Sequence, residues 1–424
     1  MTGNPKSFLF TTWDGGGNVP PLLTAVRRLV AAGHEVRVIS DHCNAQEIAA
    51  AGARPISWTT APNRIGRTRD DDPVQDWAAA DPAEGIMRVI QGVLTGPALS
   101  YARDTQRELA SGPADLVVSN DMLLGVCAGC EDLGQRFAVL TSNISLYPMA
   151  GVPPMGPGLP RATNAAEQAQ QDVIAAQIGA LLDTGLPDLN AARAALGLPG
   201  LAHVADQLNG AAAVLLGTSA AFDFAPASMP PRWRYIGPLL DLPDWATRDR
   251  PALPCHDRPL VAVCLSSTFQ NQTGVLQNLL DTLADMAVEA VVTLGPSLSA
   301  TDLRAPSNAN LMAAADHDAL MSKAHLVITH GGHGSVTRAL IHGRPMLILP
   351  MGRDQADNAI RVTQRGAGLT LSPGASLADI RTAIDRLLQE PSFTARAREL
   401  GAVVALDMQS SPLVATFEML ATDS

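Results

Sequence analysis

The sequence predicts an α/β protein built from two Rossmann-like, doubly wound domains that face each other across a cleft. Three observations predict it. A strand, glycine or small polar loop, helix, strand unit stands near the N-terminus and returns past residue 258. A second strand-loop-helix-strand unit follows in each half, and a proline-rich, charged stretch without periodicity separates the halves. At 424 residues, 46% of them apolar, the chain can bury two cores.

Taken in order, residues 7–12 read as a short buried strand. Trp13-Asp-Gly-Gly-Gly-Asn18 follows as a glycine loop, and residues 19–32 as a helix whose Leu22, Val26, Leu29 and Val30 form one apolar stripe. Gly33 stops that helix, and residues 36–40 make a second strand, closing a βαβ unit. Residues 116–119 lead through Asn120-Asp121 into a helix and then the strand 137–141. Residues 147–160 hold five prolines and three glycines and read as an irregular loop, of the kind that serves as a lid or specificity element. The Ala/Gln-rich run after Asn164 reads as a helix ending near Gly185.

In the second half the strand 260–265 passes through Ser266-Ser267-Thr268 into a helix over 272–287, striped by Leu276, Leu279, Leu280 and Leu283, and then the strand 290–294. Residues 325–329 lead through His330-Gly-Gly-His-Gly334 into a helix and the strand 345–349. Residues 236–254 are the expected linker. The division is 1–236, a linker at 237–258, and 259–400.

The formal net charge is −11, from 30 Lys+Arg against 41 Asp+Glu, which argues against a protein that coats nucleic acid or anionic lipid. No uncharged apolar run reaches the roughly 18 residues of a membrane helix, and the first residues lack the apolar core of a signal peptide. The expectation is a cytoplasmic protein with no integral membrane segment and no nucleic-acid partner. Five cysteines (Cys43, Cys127, Cys130, Cys255, Cys264) are too scattered for a disulfide framework. Cys127 and Cys130 have redox or zinc-knuckle spacing. No second pair answers them, however, and Glu131-Asp132 would disfavour a thiolate, so they read as buried structural cysteines.

Open α/β sheets bind ligands beyond the carboxyl ends of their strands. That selects residues 14–18, Asn120-Asp121, Ser266 to Thr268, residues 330–335 and Asp354-Gln355. The most informative stretch is 329–359. Its glycines permit close backbone approach, the amides of Gly334 and Ser335 open a helix whose positive end favours phosphate, and His330 can donate to the same group.

This stretch resembles the donor-binding signature of the nucleotide-sugar-dependent glycosyltransferases of the B fold (GT-B), the class of plant secondary-product and bacterial natural-product enzymes. Weaker similarity covers most of the chain, including the glycine loop, Arg234-Tyr-Ile-Gly-Pro238 and Ser266 to Thr268. The resemblance implies that His330, Gly332, His333, Gly334 and Ser335 hold the donor diphosphate, with Ser267 and Thr268 lining its opposite side. It implies that Asp354 and Gln355 hold sugar hydroxyls, which agrees with the capacity of a carboxylate and an amide to accept and donate together. Asp354 could also cap the helix it precedes. The resemblance further implies a UDP- or dTDP-sugar donor and inversion at the anomeric carbon. A small apolar acceptor would sit near Asp14, Asn18, Asp121 and the 148–160 loop. A C-terminal helix (401–424) would cross back onto the first domain.

Three positions depart from the family pattern. Arg338 stands where many members have a ribose-binding glutamate. The base-stacking tryptophan of plant members is replaced near Ala314; His317 follows shortly and is either a substitute for it or, the favoured reading, a surface histidine. Asn18 occupies the place of the catalytic histidine, whereas Asp121 matches the aspartate that orients it. An amide takes no proton, so three explanations compete. Asp14, Asp121 or both act as the base from a dry cleft; the acceptor is acidic enough to need little help; or turnover is lost and binding kept.

No metal or other cofactor is demanded, since in this fold the helix dipole and hydrogen-bond donors stabilise the leaving diphosphate. Asp70-Asp71-Asp72 reads as a solvated loop and Asp316-His317-Asp318 as a helix cap. A sugar-nucleotide epimerase and a non-catalytic nucleotide-sugar-binding protein remain the alternatives.

Overall fold

The computed structural model describes residues 4–241, 258–266, 268–295 and 298–422. β1 (Ser7–Thr11) carries Phe8, Leu9 and Phe10, all fully buried, as a central parallel strand covered on both faces requires. β2 (Glu35–Ser40) and β3 (Arg54–Ser57) lie to one side of it. β4 (Leu116–Asn120), β5 (Phe137–Thr141), β6 (Val214–Leu216) and β7 (Trp233–Tyr235) lie to the other, giving the order β3-β2-β1-β4-β5-β6-β7. Every pairing is parallel. The strand order reverses between β1 and β4, which puts the glycine loop after β1 and Asp121 after β4 at the topological switch point.

The second sheet repeats the plan. β8 (Leu260–Cys264), β9 (Glu289–Thr293), β10 (Ala309–Met312), β11 (Leu326–Thr329), β12 (Met346–Ile348) and β13 (Gly368–Thr370) stand in the order β10-β9-β8-β11-β12-β13, again all parallel. Its switch point lies between β8 and β11, where Thr268 and His330 follow. Helix Thr273–Ala284 buries Leu276, Leu279, Leu280 and Leu283 against this sheet, the stripe expected from their spacing. The two doubly wound sheets are thus present as the sequence predicts.

β3, β7, β10 and β13 end the two sheets and have no counterpart in the sequence reading. They are short and half-exposed, and β3 contains Pro55, which only an edge strand tolerates. The linker expected at 237–258 falls largely on residues 242–257, outside the described residues.

The chain returns to the first domain later than residue 401. Helix Pro391–Gln409 still lies on the second domain there: a Cβ at Gly401 would overlap the Leu340 carbonyl, and Val404 belongs to the second core. The crossing runs from Asp407, which accepts from Ser219 Oγ at 2.5 Å, to helix Leu413–Leu420. There Phe417 stands edge-on to Phe8 and Phe10, with centroids 6.2 and 5.7 Å away. By length and composition residues 391–420 could cross a membrane, but the helix breaks at Ser410 to Pro412 and its Phe393, Val404 and Phe417 are buried against protein.

Candidate active site

On the second domain the cradle begins at Gly331, whose φ of +99° is left-handed. A Cβ there would stand 2.9 Å from Ile348 Cγ2 and 3.0 Å from the Gln355 carbonyl, so only glycine lets the chain turn this close to the next loop. Gly332 then caps helix His333–Ile341. The N–H groups of His333 and Gly334 have no protein acceptor among the described residues, which leaves two donors at the positive end of the helix. The Ser335 N–H, expected to join them, bonds the Gly332 carbonyl at 3.1 Å.

The His330 ring lies against Gly332, donates toward the Cys264 carbonyl, and has its pKa pushed down to about 4 by burial. It is therefore a neutral ring near pH 7, with its one N–H directed to the Cys264 carbonyl.

Two expectations for this domain are corrected. The His333 side chain does not join the cradle. Its Nε2 is 2.8 Å from Thr218 Oγ1 of the first domain, and its ring stands edge-on to Phe222, 5.6 Å away. Burial lowers its pKa to about 4, so it serves as a neutral bridge between domains and offers a ligand only its main chain. Gln355 is fully buried, with Oε1 accepting from the Met351 N–H at 2.7 Å and Nε2 donating to Gln270 at 2.7 Å, so its amide braces the loop and has no face for a sugar. Asp354, half-buried, accepts from Asn358 and, across the cleft, from Asn143, both at 2.8 Å. Ser267 lies outside the described residues. Thr268 meets the opposite lobe: a Cβ at Gly16 would overlap its methyl group.

On the first domain Asp121 follows β4 and is buried, and no Lys, Arg or His pairs with it among the described residues. Loss of hydration pushes its pKa up to about 7. The Tyr147 hydroxyl donates to its main-chain carbonyl at 2.8 Å and anchors the start of the 147–160 loop beside it.

Asp14, the competing base, is placed differently. Its carboxylate takes Arg64 Nη1 at 3.3 Å and the Cys43 thiol at 3.3 Å, with Arg67 Nε at 3.7 Å. These contacts tie the Asp14 carboxylate to residues 43–67 of its own domain, so the structure gives Asp14 a structural role. Asn18 donates to the Trp13 carbonyl at 2.7 Å and to Thr12 Oγ1 at 3.2 Å and accepts from the Gly15 N–H at 3.1 Å; it braces the glycine loop.

Further contacts that the sequence did not single out complete the cleft. Arg353 reaches the Gly15 carbonyl at 3.1 Å and Asp76 at 2.8 Å. Gly156 and Gly158, on the proline-rich loop, donate to Asp357 at 2.7 and 3.1 Å. His317 is half-buried, with Nε2 3.3 Å from Thr293 Oγ1 at the end of β9, so it lies on the ligand-facing edge and is not a free surface residue. Arg338 pairs with Asp318 at 3.1 Å and offers no acceptor to a ribose. Asp316 caps its helix as expected, and Asp71 and Asp72 accept from their own loop. Cys127 and Cys130 are buried and free. No group of three or more His, Cys, Asp or Glu suited to a metal occurs among the described residues.

Residues 277–418 match the model of the erythromycin biosynthesis protein CIII-like C-terminal domain. The 4'-demethylrebeccamycin synthase of Lentzea aerocolonigenes is 26% identical over 92% of this chain and 94% of its own length. Two solved structures share the fold. The kitacinnamycin glycotransferase has a TM-score of 0.77 at 18% identity, over 98% of this chain and 99% of its own. The glycosyltransferase VinC in complex with dTDP has a TM-score of 0.63 at 18% identity, over 98% of each chain. With two parallel-sheet domains meeting at their loop edges, the chain has the GT-B fold, and along nearly its whole length it is similar to proteins of natural-product glycosylation.

Proposed function

We propose that this enzyme moves a sugar from a UDP or dTDP donor to a small, apolar acceptor, with inversion at the anomeric carbon and without a metal. The observation that carries the reading is Asp121, a carboxyl buried at the switch point of the first sheet, where loss of hydration pushes its pKa up to about 7. The free N–H groups that open helix His333–Ile341 belong to the facing domain.

In this reading the diphosphate sits on the His333 and Gly334 amides, with Thr268 opposite and the single His330 N–H turned from the Cys264 carbonyl to the diphosphate. These donors stabilise the charge that grows on the diphosphate as it leaves. Asp354 accepts from a sugar hydroxyl. The acceptor lies on the first domain, walled by the 147–160 loop, and Asp121 takes the proton from its attacking heteroatom. Occupation of VinC by dTDP supports a nucleoside diphosphate as the donor's leaving group. The name of the Lentzea relative supports a natural product as acceptor.

The test is a screen of UDP- and dTDP-sugars against polycyclic and phenolic acceptors, read by mass spectrometry for the glycoside, with the anomeric configuration of any product assigned by NMR. Transfer with retained configuration would remove the direct displacement. Nucleotide binding without transfer to any acceptor would favour a binding protein, a reading that Asn18 at the histidine position keeps in view. Turnover of the donor sugar without acceptor would favour an epimerase.

A further inference from the structure

Arg353 leaves the second domain just past β12 and reaches over the cleft mouth. Its Nε and Nη2 take the two oxygens of Asp76 at 2.8 and 3.0 Å, and its Nη1 donates to the Gly15 carbonyl at 3.1 Å and lies 3.5 Å from Thr268 Oγ1. The residue holds a φ of +56°, a left-handed backbone that an arginine adopts only where the surroundings impose it. Beside Asp76, Trp77 stands edge-on to Phe269 at 5.0 Å, with the Arg69 guanidinium 4.3 and 4.9 Å from the two ring centroids. A strap of the first domain, residues 69–77, is thereby fastened to the second domain beside the cradle.

Two cross-domain ion pairs among the described residues differ in accessibility. Arg361 and Asp223 are 2% and 1% exposed, so neither can leave its partner without stranding a buried charge. Arg353 and Asp76 are 30% and 15% exposed. A guanidinium in that position can exchange one anion for another while keeping contact with water throughout. Its fork fits a diphosphate as well as a carboxylate, and the diphosphate carries more charge. Arg353 also precedes Asp354 and touches Thr268, so the fork already stands at the rim where the donor would lie.

We propose that Arg353 is a ligand of the donor diphosphate that Asp76 holds in reserve. The donor displaces Asp76 and so unfastens the 69–77 strap. This rests on the donor reading above and adds to it an order of events: nucleotide binding frees the strap before the acceptor enters. Asp76 is then a competitor of the donor, and removing it should strengthen binding.

The experiment is isothermal titration of the full chain with UDP and with dTDP, for the wild type, Arg353→Ala, Asp76→Asn, the double variant, and His330→Ala. Arg353→Ala should bind about tenfold more weakly, as for loss of a charged hydrogen bond. Asp76→Asn should bind about two- to fivefold more tightly, the scale of an exposed pair, and the double variant should behave as Arg353→Ala alone. A mere clasp would shift both single variants in the same direction, and that result, or an unchanged affinity in Arg353→Ala, overturns the exchange. His330→Ala separates the two ideas. Weak binding by that variant without tightening by Asp76→Asn sinks the exchange and leaves the donor site standing. A wild type that binds neither nucleotide sinks both.

Discussion

The Arg361 guanidinium of the second domain meets the Asp223 carboxylate of the first at 2.7 Å, both side chains almost wholly buried. Tyr235 donates to the same carboxylate at 2.8 Å, and Phe224 lies under the arginine, 4.6 Å from its ring centroid. Here the two domains are joined as a core is joined. Removing either partner leaves an uncompensated charge, so Asp223→Ala should cost about 3–5 kcal/mol in denaturant unfolding. A loss below about 1 kcal/mol, the scale of surface pairs, would show the junction to be wet in solution.

Asp121→Asn should abolish transfer while leaving nucleoside diphosphate affinity intact, because in the proposed arrangement the residue faces the acceptor and not the donor. A base with a pKa near 7 acts only when deprotonated. The wild-type rate should therefore rise with pH through about 7 and level off above it. A flat profile from pH 5 to 9, with the chemical step shown to limit turnover, would move the proton transfer elsewhere.

The same substitution should stabilise the protein above neutrality. The folded pKa of Asp121 is raised from 3.8 to about 7, so the folded state holds a proton that the unfolded chain gives up. That contribution is fully present below about pH 4 and is lost as pH rises through 7. Asp121→Asn avoids the loss and should exceed the wild type by on the order of 2–4 kcal/mol at pH 8, with the gap closing toward pH 4. Chemical denaturation at both pH values reads this directly.

His330→Ala should weaken nucleoside diphosphate binding by about 1–3 kcal/mol. With its pKa near 4, His330 is uncharged from pH 5 upward, so its share of the affinity should not change between pH 6 and 8. A decline in the His330-dependent part across that range would mean that the ring binds as a cation.

Asp357 should govern the proline-rich loop. Burial raises its carboxyl to about 6, and it accepts from the main chain of Gly156 and Gly158. Asp357→Ala should free residues 147–160, seen as faster amide exchange and proteolysis there, with a loss of roughly 1.5–3 kcal/mol for the charged hydrogen bonds. Equal protection in the variant would show that Tyr147 and the loop's own packing suffice.

Elements whose signals are contiguous could be read from the chain. These are the buried strands β1, β4, β5, β8 and β11, the striped helices, and the cradle from Thr329 to Ser335, in which glycines, a histidine and a helix start follow one another in the chain. Periodicity and left-handed turns are local physics, and a reader of the chain sees them. Asp121 was legible too, because a carboxylate directly after an apolar strand at a switch point can hardly avoid the cleft.

Which polar side chains stay free depends on how the chain packs. Asp14, Gln355 and His333 look like site residues in the sequence, yet they are taken by Arg64, Gln270 and Thr218, which lie 50, 85 and 115 positions away. Arg353 looked like filler before Asp354-Gln355, and its meaning came from Asp76, 277 positions distant. Hydrogen bonds and ion pairs act over a few ångströms, and no spacing along the chain encodes which partner arrives within that reach; the folding of the two sheets against each other does.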